Sequence, residues 1–134
     1  MTQLPDDPCE VLTRERITEL FGSRVRGRFE EGRRADVCGY RGRRPADPNA
    51  TPPVPSGLDV FVGEEFFVVL SRQAEPGLVV PLPSVAASAY VAGNSAGAIV
   101  GDQGLLIEVF GLSSGDPAVG DLLEDLLREA VGAG

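Results

Sequence analysis

The stretch that decides the fold begins with Ala98-Ile99-Val100-Gly101-Asp102-Gln103-Gly104 and continues with Leu105-Leu106-Ile107-Glu108-Val109-Phe110. Two apolar, partly β-branched runs on either side of a glycine-containing turn predict a pair of strands. Asp116-Pro117 then opens a segment in which apolar residues recur three and four positions apart, as they do on one face of a helix. Those residues are Val119, Leu122, Leu123, Leu126, Leu127 and Ala130. Strands and an amphipathic helix that cover each other's apolar sides predict an α+β domain.

The upstream sequence predicts the remaining elements. Asp7-Pro8 has the form of a helix start, Thr13 offers a second cap, and Gly22 follows the last apolar residue of the helical pattern. Residues 24–30 alternate as a strand, residues 31–36 suit a turn, and residues 37–43 return as the second strand of a hairpin. Residues 58–62 predict a further strand. Residues 64–74 fit a helix or a strand, and we favour a middle helix. We therefore expect an antiparallel sheet packed against an N-terminal, a middle and a C-terminal helix.

Length and composition set the broad class. A chain of 134 residues predicts a single domain, and a proline-rich loop interrupts it at 45–57. Its 20 acidic and 12 basic residues give a net charge of −8, which argues against binding to nucleic acid. No apolar run reaches the length of a transmembrane segment, and the first residues lack the pattern of a signal peptide. All basic residues are Arg, and ten of the 12 fall within residues 1–44.

The motifs in this chain that match catalytic patterns do not indicate an enzyme. The pattern Gly-x-Ser-x-Gly of serine hydrolases occurs at 93–97 and at 111–115. That chemistry needs a base to accept the serine proton, and the chain has neither His nor Lys. Two Cys without any His also fit no zinc site. We predict no catalytic residue, no metal and no cofactor.

Two candidate binding surfaces follow from the predicted elements. If Val25, Phe29, Cys38 and Tyr40 point inward, a row of guanidinium groups shares the outer face of the hairpin. We call this row the arginine face; it consists of Arg24, Arg26, Arg28, Arg41 and Arg43. It would suit an anionic envelope polymer, a lipid headgroup or a protein partner, and the alternative is a solvated face balanced by nearby acids. The second candidate is an apolar pocket between the sheet and the helices, lined by Phe61, Phe66, Phe67 and Leu126.

The two cysteines leave three alternatives open. Cys9 lies at the predicted helix start and Cys38 in the second strand of the hairpin. Both can be buried thiols, one can be a reactive thiol, or the two can form a disulfide that holds the helix on the sheet.

A resemblance to a known family bears on this choice. The residues Asp7-Pro8-Cys9-Glu10-Val11-Leu12-Thr13, followed by Val37-Cys38-Gly39-Tyr40, resemble the actinobacterial envelope lipoproteins of domain-of-unknown-function family 3558. The likeness continues loosely to the closing helix, but Ser84-Val85-Ala86-Ala87 stands where the family often has a Gly-Leu-Gly-Asp-like turn. The resemblance implies a Cys9–Cys38 disulfide and export with a lipid anchor upstream, and such proteins have no assigned reaction.

The leading hypothesis is a non-enzymatic domain of the cell envelope, exported or secreted, that acts as a binding or accessory module. One alternative is a carrier that holds a small apolar ligand in the pocket. Another is a cytoplasmic partner-binding protein with free thiols.

Overall fold

The computed structural model describes residues 7–21, 30–34, 37–45, 55–64, 79–86, 88–110 and 117–132. A 3-10 turn at Pro8–Glu10 leads into helix α1, Arg14–Phe21, and the closing helix α2 spans Pro117–Gly132. Between them lie strands β1 (Glu30–Arg34), β2 (Val37–Pro45), β3 (Pro55–Glu64), β4 (Val79–Pro81), β5 (Tyr90–Ala92), β6 (Ser95–Val100) and β7 (Gln103–Phe110). Strands and helices of this order confirm the predicted α+β class.

The seven described strands form one sheet in the order β1-β2-β3-β7-β6-β5-β4. Every neighbouring pair is antiparallel. Strand β7 lies between β3 and β6, and β1 and β4 are the two edge strands. The predicted strand pair at the end of the chain is therefore part of the centre of the sheet.

Two tight turns fix the register of the strands on this side. Gly93-Asn94 joins β5 to β6 and Gly101-Asp102 joins β6 to β7, and each connection has two residues. Gly93 has φ 59° and Gly101 has φ 64°. Two-residue hairpins favour turns with a positive φ at the first central position, which glycine adopts without a steric penalty.

The main core lies between one face of the sheet and the helices. All six residues of the predicted apolar stripe on α2 are buried, none more than 3% exposed. They pack against a layer of strand residues that includes Val60, Ile107 and Ala96, which are adjacent across β3, β7 and β6. The stripe of α2 is thus confirmed as the side that covers the sheet.

The caps predicted at the start of the chain are also confirmed. The Cys9 backbone N–H donates to Asp7 Oδ1 at 2.9 Å, and the Arg16 N–H donates to Thr13 Oγ1 at 3.2 Å. Each cap satisfies a backbone donor that a helix start leaves without an intrahelical partner. The 3-10 turn and α1 are therefore two short helices with one cap each.

The first hairpin is displaced from its predicted position. Residues 31–36 were expected to form a turn, whereas Glu30–Arg34 is a strand and only two residues separate it from Val37. Residues 24–29 of the predicted strand lie outside the described ranges. The charged segment of β1 is compatible with a strand because β1 lies at the edge of the sheet, where charged residues are common.

Both ends of the predicted proline-rich loop at 45–57 belong to strands. β2 ends at Pro45, β3 begins at Pro55, and these two prolines are register partners. Proline is tolerated at the first residue of a strand, so Pro55 can begin β3. The observed strand extends beyond both ends of the strand predicted at 58–62. The predicted middle helix lies on residues of which only Glu64 is described, as the last residue of β3.

The connection from β4 to β5 is held by hydrogen bonds within itself and to β6. The Leu82 N–H donates to the Ala89 carbonyl at 2.9 Å. Ser88 Oγ accepts from the Ile99 N–H at 2.9 Å and donates to the Ile99 carbonyl at 3.2 Å. Position 88 continues the register of β5 against β6, in which Tyr90 pairs with Gly97. The serine side chain therefore replaces the main-chain pairing two residues before the start of β5.

Candidate functional site

The cysteines of the sequence motif form a disulfide. Cys9, in the 3-10 turn, is bonded to Cys38 of β2 with the two Cα atoms 5.1 Å apart, and no free cysteine is present. The side chain of Cys38 is completely buried, whereas Cys9 is partly exposed. The disulfide is the alternative that the family resemblance implied, and it excludes the two free-thiol alternatives for this structure.

Tyr40 provides a second attachment at the same place. Its hydroxyl lies 3.0 Å from the carbonyl oxygen of Leu12 and 3.4 Å from that of Cys9. Tyr40 is completely buried and lies two residues after Cys38, on the same face of β2. A covalent bond at Cys9 and a hydrogen bond at Leu12 thus join β2 to the chain between the start of the 3-10 turn and α1.

The sequence predicted that Tyr40 points inward, but not that its hydroxyl binds this segment. The sequence did contain a signal for this contact. Cys38 and Tyr40 are two residues apart, so their side chains lie on the same face of a strand. A buried tyrosine also needs a partner for its O–H. The Cys-x-Tyr pattern is therefore a structural attachment motif in this chain.

The arginine face falls largely on residues that the structure does not describe. Arg24, Arg26 and Arg28 lie outside the described ranges, as do the side chains of Arg41 and Arg43. The backbone of β2 places Arg41 opposite Glu30 of β1 and Gly57 of β3. The register shifts between Arg41 and Pro45, so simple alternation does not extend to position 43. The arginine face stays a prediction.

Two of the four residues of the predicted apolar pocket lie on opposite faces of the sheet. Leu126 belongs to the main core between sheet and helices, where it is completely buried. Phe61 alternates with the core residues Val60 and Val62 along β3, which places it on the opposite face of the sheet. Phe66 and Phe67 lie outside the described ranges. Phe61 and Leu126 therefore do not line a common cavity between the sheet and the helices.

The face of the sheet opposite the helices carries a group of residues that sequence reasoning missed. We call it the second face; its described residues include Asp59, Phe61, Tyr90, Ser95, Gly97, Leu106 and Glu108. Tyr90 is 1% exposed and Leu106 is 9% exposed. Tyr90 and Ala92 form a small cluster of their own, separate from the core to which both helices contribute. The second face thus also contains buried residues.

A polar row crosses the second face. Asp59 of β3 lies directly opposite Glu108 of β7, and Glu108 lies directly opposite Ser95 of β6. All three residues are half-buried. Residues directly opposite on antiparallel strands have neighbouring side chains, so two carboxylates and a hydroxyl share one strip. Sequence reasoning missed this strip because it depends on the order of the strands.

The described residues do not assemble a metal or hydrolase centre. Within these ranges, no three Cys, Asp or Glu residues come together in a way that would hold a metal ion. The Gly-x-Ser-x-Gly pattern at 93–97 forms the turn from β5 to β6 and the start of β6. A nucleophile elbow requires a turn from a strand to a helix, so this match is accidental. The match at 111–115 lies outside the described ranges.

The guanidinium of Arg16 links the two helices. Arg16 Nη1 lies 2.8 Å from Glu19 Oε2 within α1, and Arg16 Nε lies 3.2 Å from Glu129 Oε1 on α2. These hydrogen bonds, first to Glu19 and then to Glu129, raise the pKa of Arg16 above its ordinary value. Arg16 is therefore charged at every pH at which the protein is handled, and its role in this structure is to connect α1 to α2.

Neither described helix combines the length and the apolar character that crossing a membrane requires. Comparisons of the chain with protein-family models, with curated proteins and with solved structures find no match.

Proposed function

We propose that this protein is an exported domain of the cell envelope and serves there as a binding or accessory module without catalytic activity. The observation that carries the proposal is the Cys9–Cys38 disulfide. Disulfides persist in oxidising compartments and are rare in the cytosol, where thiols are kept reduced. The resemblance of the two cysteine motifs to envelope lipoproteins points the same way.

The position of the disulfide supports a structural role for it. One of its two sulfurs belongs to a completely buried residue of β2, and Tyr40 holds the same segment by a hydrogen bond. Redox-active cysteines need an accessible thiolate that can attack or be attacked. A bond with one of its two cysteines in the core instead favours a small domain that withstands conditions outside the cytoplasm.

A binding role, rather than a chemical one, is supported by the residues themselves. The chain has neither His nor Lys to serve as a general base. The arginine face is the surface that we propose for binding an anionic polymer or lipid headgroup. Guanidinium groups bind phosphate and carboxylate through charge-assisted, often bidentate hydrogen bonds.

The compartment is tested on protein taken from the cells that produce it. Free thiols are blocked at lysis, the cytosolic and envelope fractions are separated, and the intact mass of the unreduced protein is measured. We expect the protein in the envelope fraction with both cysteines unlabelled. Two labelled thiols on protein from the cytosolic fraction would establish the cytoplasmic free-thiol alternative instead.

The arginine face is tested separately with vesicles. Vesicles of phosphatidylglycerol and phosphatidylcholine are compared with vesicles of phosphatidylcholine alone by co-sedimentation. We expect binding to the anionic vesicles only, with loss at about 1 M salt, where the Debye length is about 3 Å. Replacing Arg24, Arg26, Arg28, Arg41 and Arg43 by Gln should abolish it.

A charge-matched pair of variants makes this test specific. Arg41→Gln/Arg43→Gln and Arg14→Gln/Arg128→Gln remove the same number of charges, from β2 and from the helices respectively. Binding should weaken in the first variant and persist in the second. Equal weakening in both would indicate attraction by net charge alone, and unchanged binding in the variant with all five replacements would remove the arginine face from the proposal.

A further inference from the structure

Strand β1 carries negative charges on one side of its central residue and positive charges on the other. It reads Glu30-Glu31-Gly32-Arg33-Arg34, with two acids before the glycine and two arginines after it. β1 is also an edge strand, and no described strand pairs with its outer side. We propose that β1 pairs with β1 of a second copy of this chain, antiparallel and centred on Gly32, and so joins two sheets into one.

The backbone of β1 has the geometry that this pairing requires. Arg34 and Val37 are partners across a two-residue connection, and such a pair exchanges backbone hydrogen bonds. The hydrogen-bonding direction alternates along an antiparallel strand, so Gly32 also bonds towards β2. Glu31 and Arg33 therefore direct their N–H and C=O groups away from β2, towards the open edge. These are the groups that a further strand would bind.

A two-fold axis at Gly32 uses these groups fully. It places Glu31 opposite Arg33 of the partner subunit, and this pair and its symmetry mate exchange main-chain hydrogen bonds. Gly32 then faces Gly32 of the partner subunit in a pair without such bonds, where Cα atoms approach to about 4.5 Å. Gly32 is exposed, and a Cβ at this position would meet no atom within 4 Å of its own chain. The site is therefore open to a close approach.

The charges select this arrangement over its competitors. With the axis at Gly32, Glu30 lies opposite Arg34 of the partner subunit, and Glu31 lies opposite Arg33 of the partner subunit. Opposite charges on directly facing residues stabilise a strand pair, and like charges destabilise it. A parallel pairing would instead place Glu30 against Glu30 of the partner subunit. Charged edge strands usually prevent association, and here the order of signs permits one register only.

The association is tested by sedimentation at low salt on the oxidised full chain. We expect a dimer that dissociates as salt is raised, because salt screens the attraction between the facing charges. Glu30→Arg/Glu31→Arg makes every facing pair repulsive, and so does Arg33→Glu/Arg34→Glu. Each variant alone should associate about tenfold or more weakly than the parent chain. A parent chain that stays monomeric at about 1 mM would overturn the proposal.

Two recombinations of these variants provide the decisive controls. An equimolar mixture of the two double variants should form a heterodimer, because every facing pair is then of opposite sign. The variant with all four replacements should regain self-association, since its charges are again reversed about Gly32. Failure of both recombinations, or unchanged association of the double variants, would show that any dimer uses another surface.

The register is tested by cross-linking, which does not depend on the charges. Gly32→Cys places two thiols on the two-fold axis, at a Cα separation compatible with a disulfide. Gly132→Cys is the matched control, because Gly132 is also exposed and a Cβ added there would also have no atom within 4 Å. We expect rapid formation of a covalent dimer by Gly32→Cys only. Equal cross-linking of the two variants would contradict the proposed register.

Discussion

Tyr90 lies directly opposite Gly97 on strands β5 and β6, and its ring occupies the space that a side chain at position 97 would need. An added Cβ would lie 2.8 Å from Tyr90 Cε1 and 2.9 Å from its hydroxyl oxygen. Tyr90 is almost completely buried on the second face. The glycine is thus what allows the aromatic ring to lie flat across the neighbouring strand.

Gly97→Ala should therefore destabilise the protein by roughly 1–3 kcal/mol, because the ring and the adjoining strand must shift to admit the methyl group. The free energy of unfolding is measured by urea denaturation. Gly120→Ala is the matched control: Gly120 lies inside α2 with no atom within 4 Å of an added Cβ. That replacement should stabilise the helix by up to about 1 kcal/mol. Equal effects of the two replacements would refute the steric argument.

Removal of the disulfide should lower the free energy of unfolding by roughly 3–4 kcal/mol, as loop entropy predicts for a closed loop of this length. The bond spans 29 positions of sequence. Cys9→Ala/Cys38→Ala and the reduced parent chain are compared with the oxidised parent in urea. The two should agree closely, since both lose the same constraint. A double variant as stable as the oxidised parent would show that the bond contributes nothing.

Tyr40→Phe keeps the ring and removes only the hydroxyl, which leaves the Leu12 carbonyl without this donor in a buried position. We expect a loss of about 1–2 kcal/mol. Because the disulfide holds the same segment, the effects of Tyr40→Phe and of Cys9→Ala/Cys38→Ala should not add. A double-mutant cycle measures this coupling, and strictly additive losses would mean that the two attachments act independently.

Stability should be nearly independent of pH between about 6 and 9. The chain has no His and no Lys, and both cysteines are bonded, so few groups titrate in this window. The raised pKa of Arg16 means that its contribution is fully present at neutral pH. That contribution is lost only as the pH rises through the strongly alkaline range. Urea denaturation at several pH values tests this, and a marked slope would implicate an acidic group with a displaced pKa.

Features encoded by local sequence were predictable. The apolar stripe of α2 and the caps at Asp7 and Thr13 each depend on residues within a turn or two of the helix. The turn at Gly101-Asp102 follows from glycine's freedom at positive φ. In each case the residues that determine the structure are neighbours in the chain, so their pattern is visible without knowledge of the sheet.

Features that depend on strand order were not predictable. Composition suggested a turn for the charged segment at 31–34, which is a strand because β2 offers it an edge. The facing of Asp59 and Glu108 needs β3 and β7 to be neighbours. Which face of the sheet α2 covers, and hence that Leu126 lies on the face away from Phe61, likewise depends on the assembled sheet. Strand order, which no local pattern specifies, decides all three.

The attachment of the amino-terminal turn to β2 has a mechanical consequence. Tension applied to the chain before Cys9 passes through the disulfide into β2, which is hydrogen-bonded to β1 and β3, and bypasses α1. The chain between the two cysteines, which are separated by 29 in sequence, stays locked during extension. This hides roughly 100 Å of contour length at about 3.5 Å per residue. Pulled from this end, the domain resists at its sheet, and its first helix carries no load.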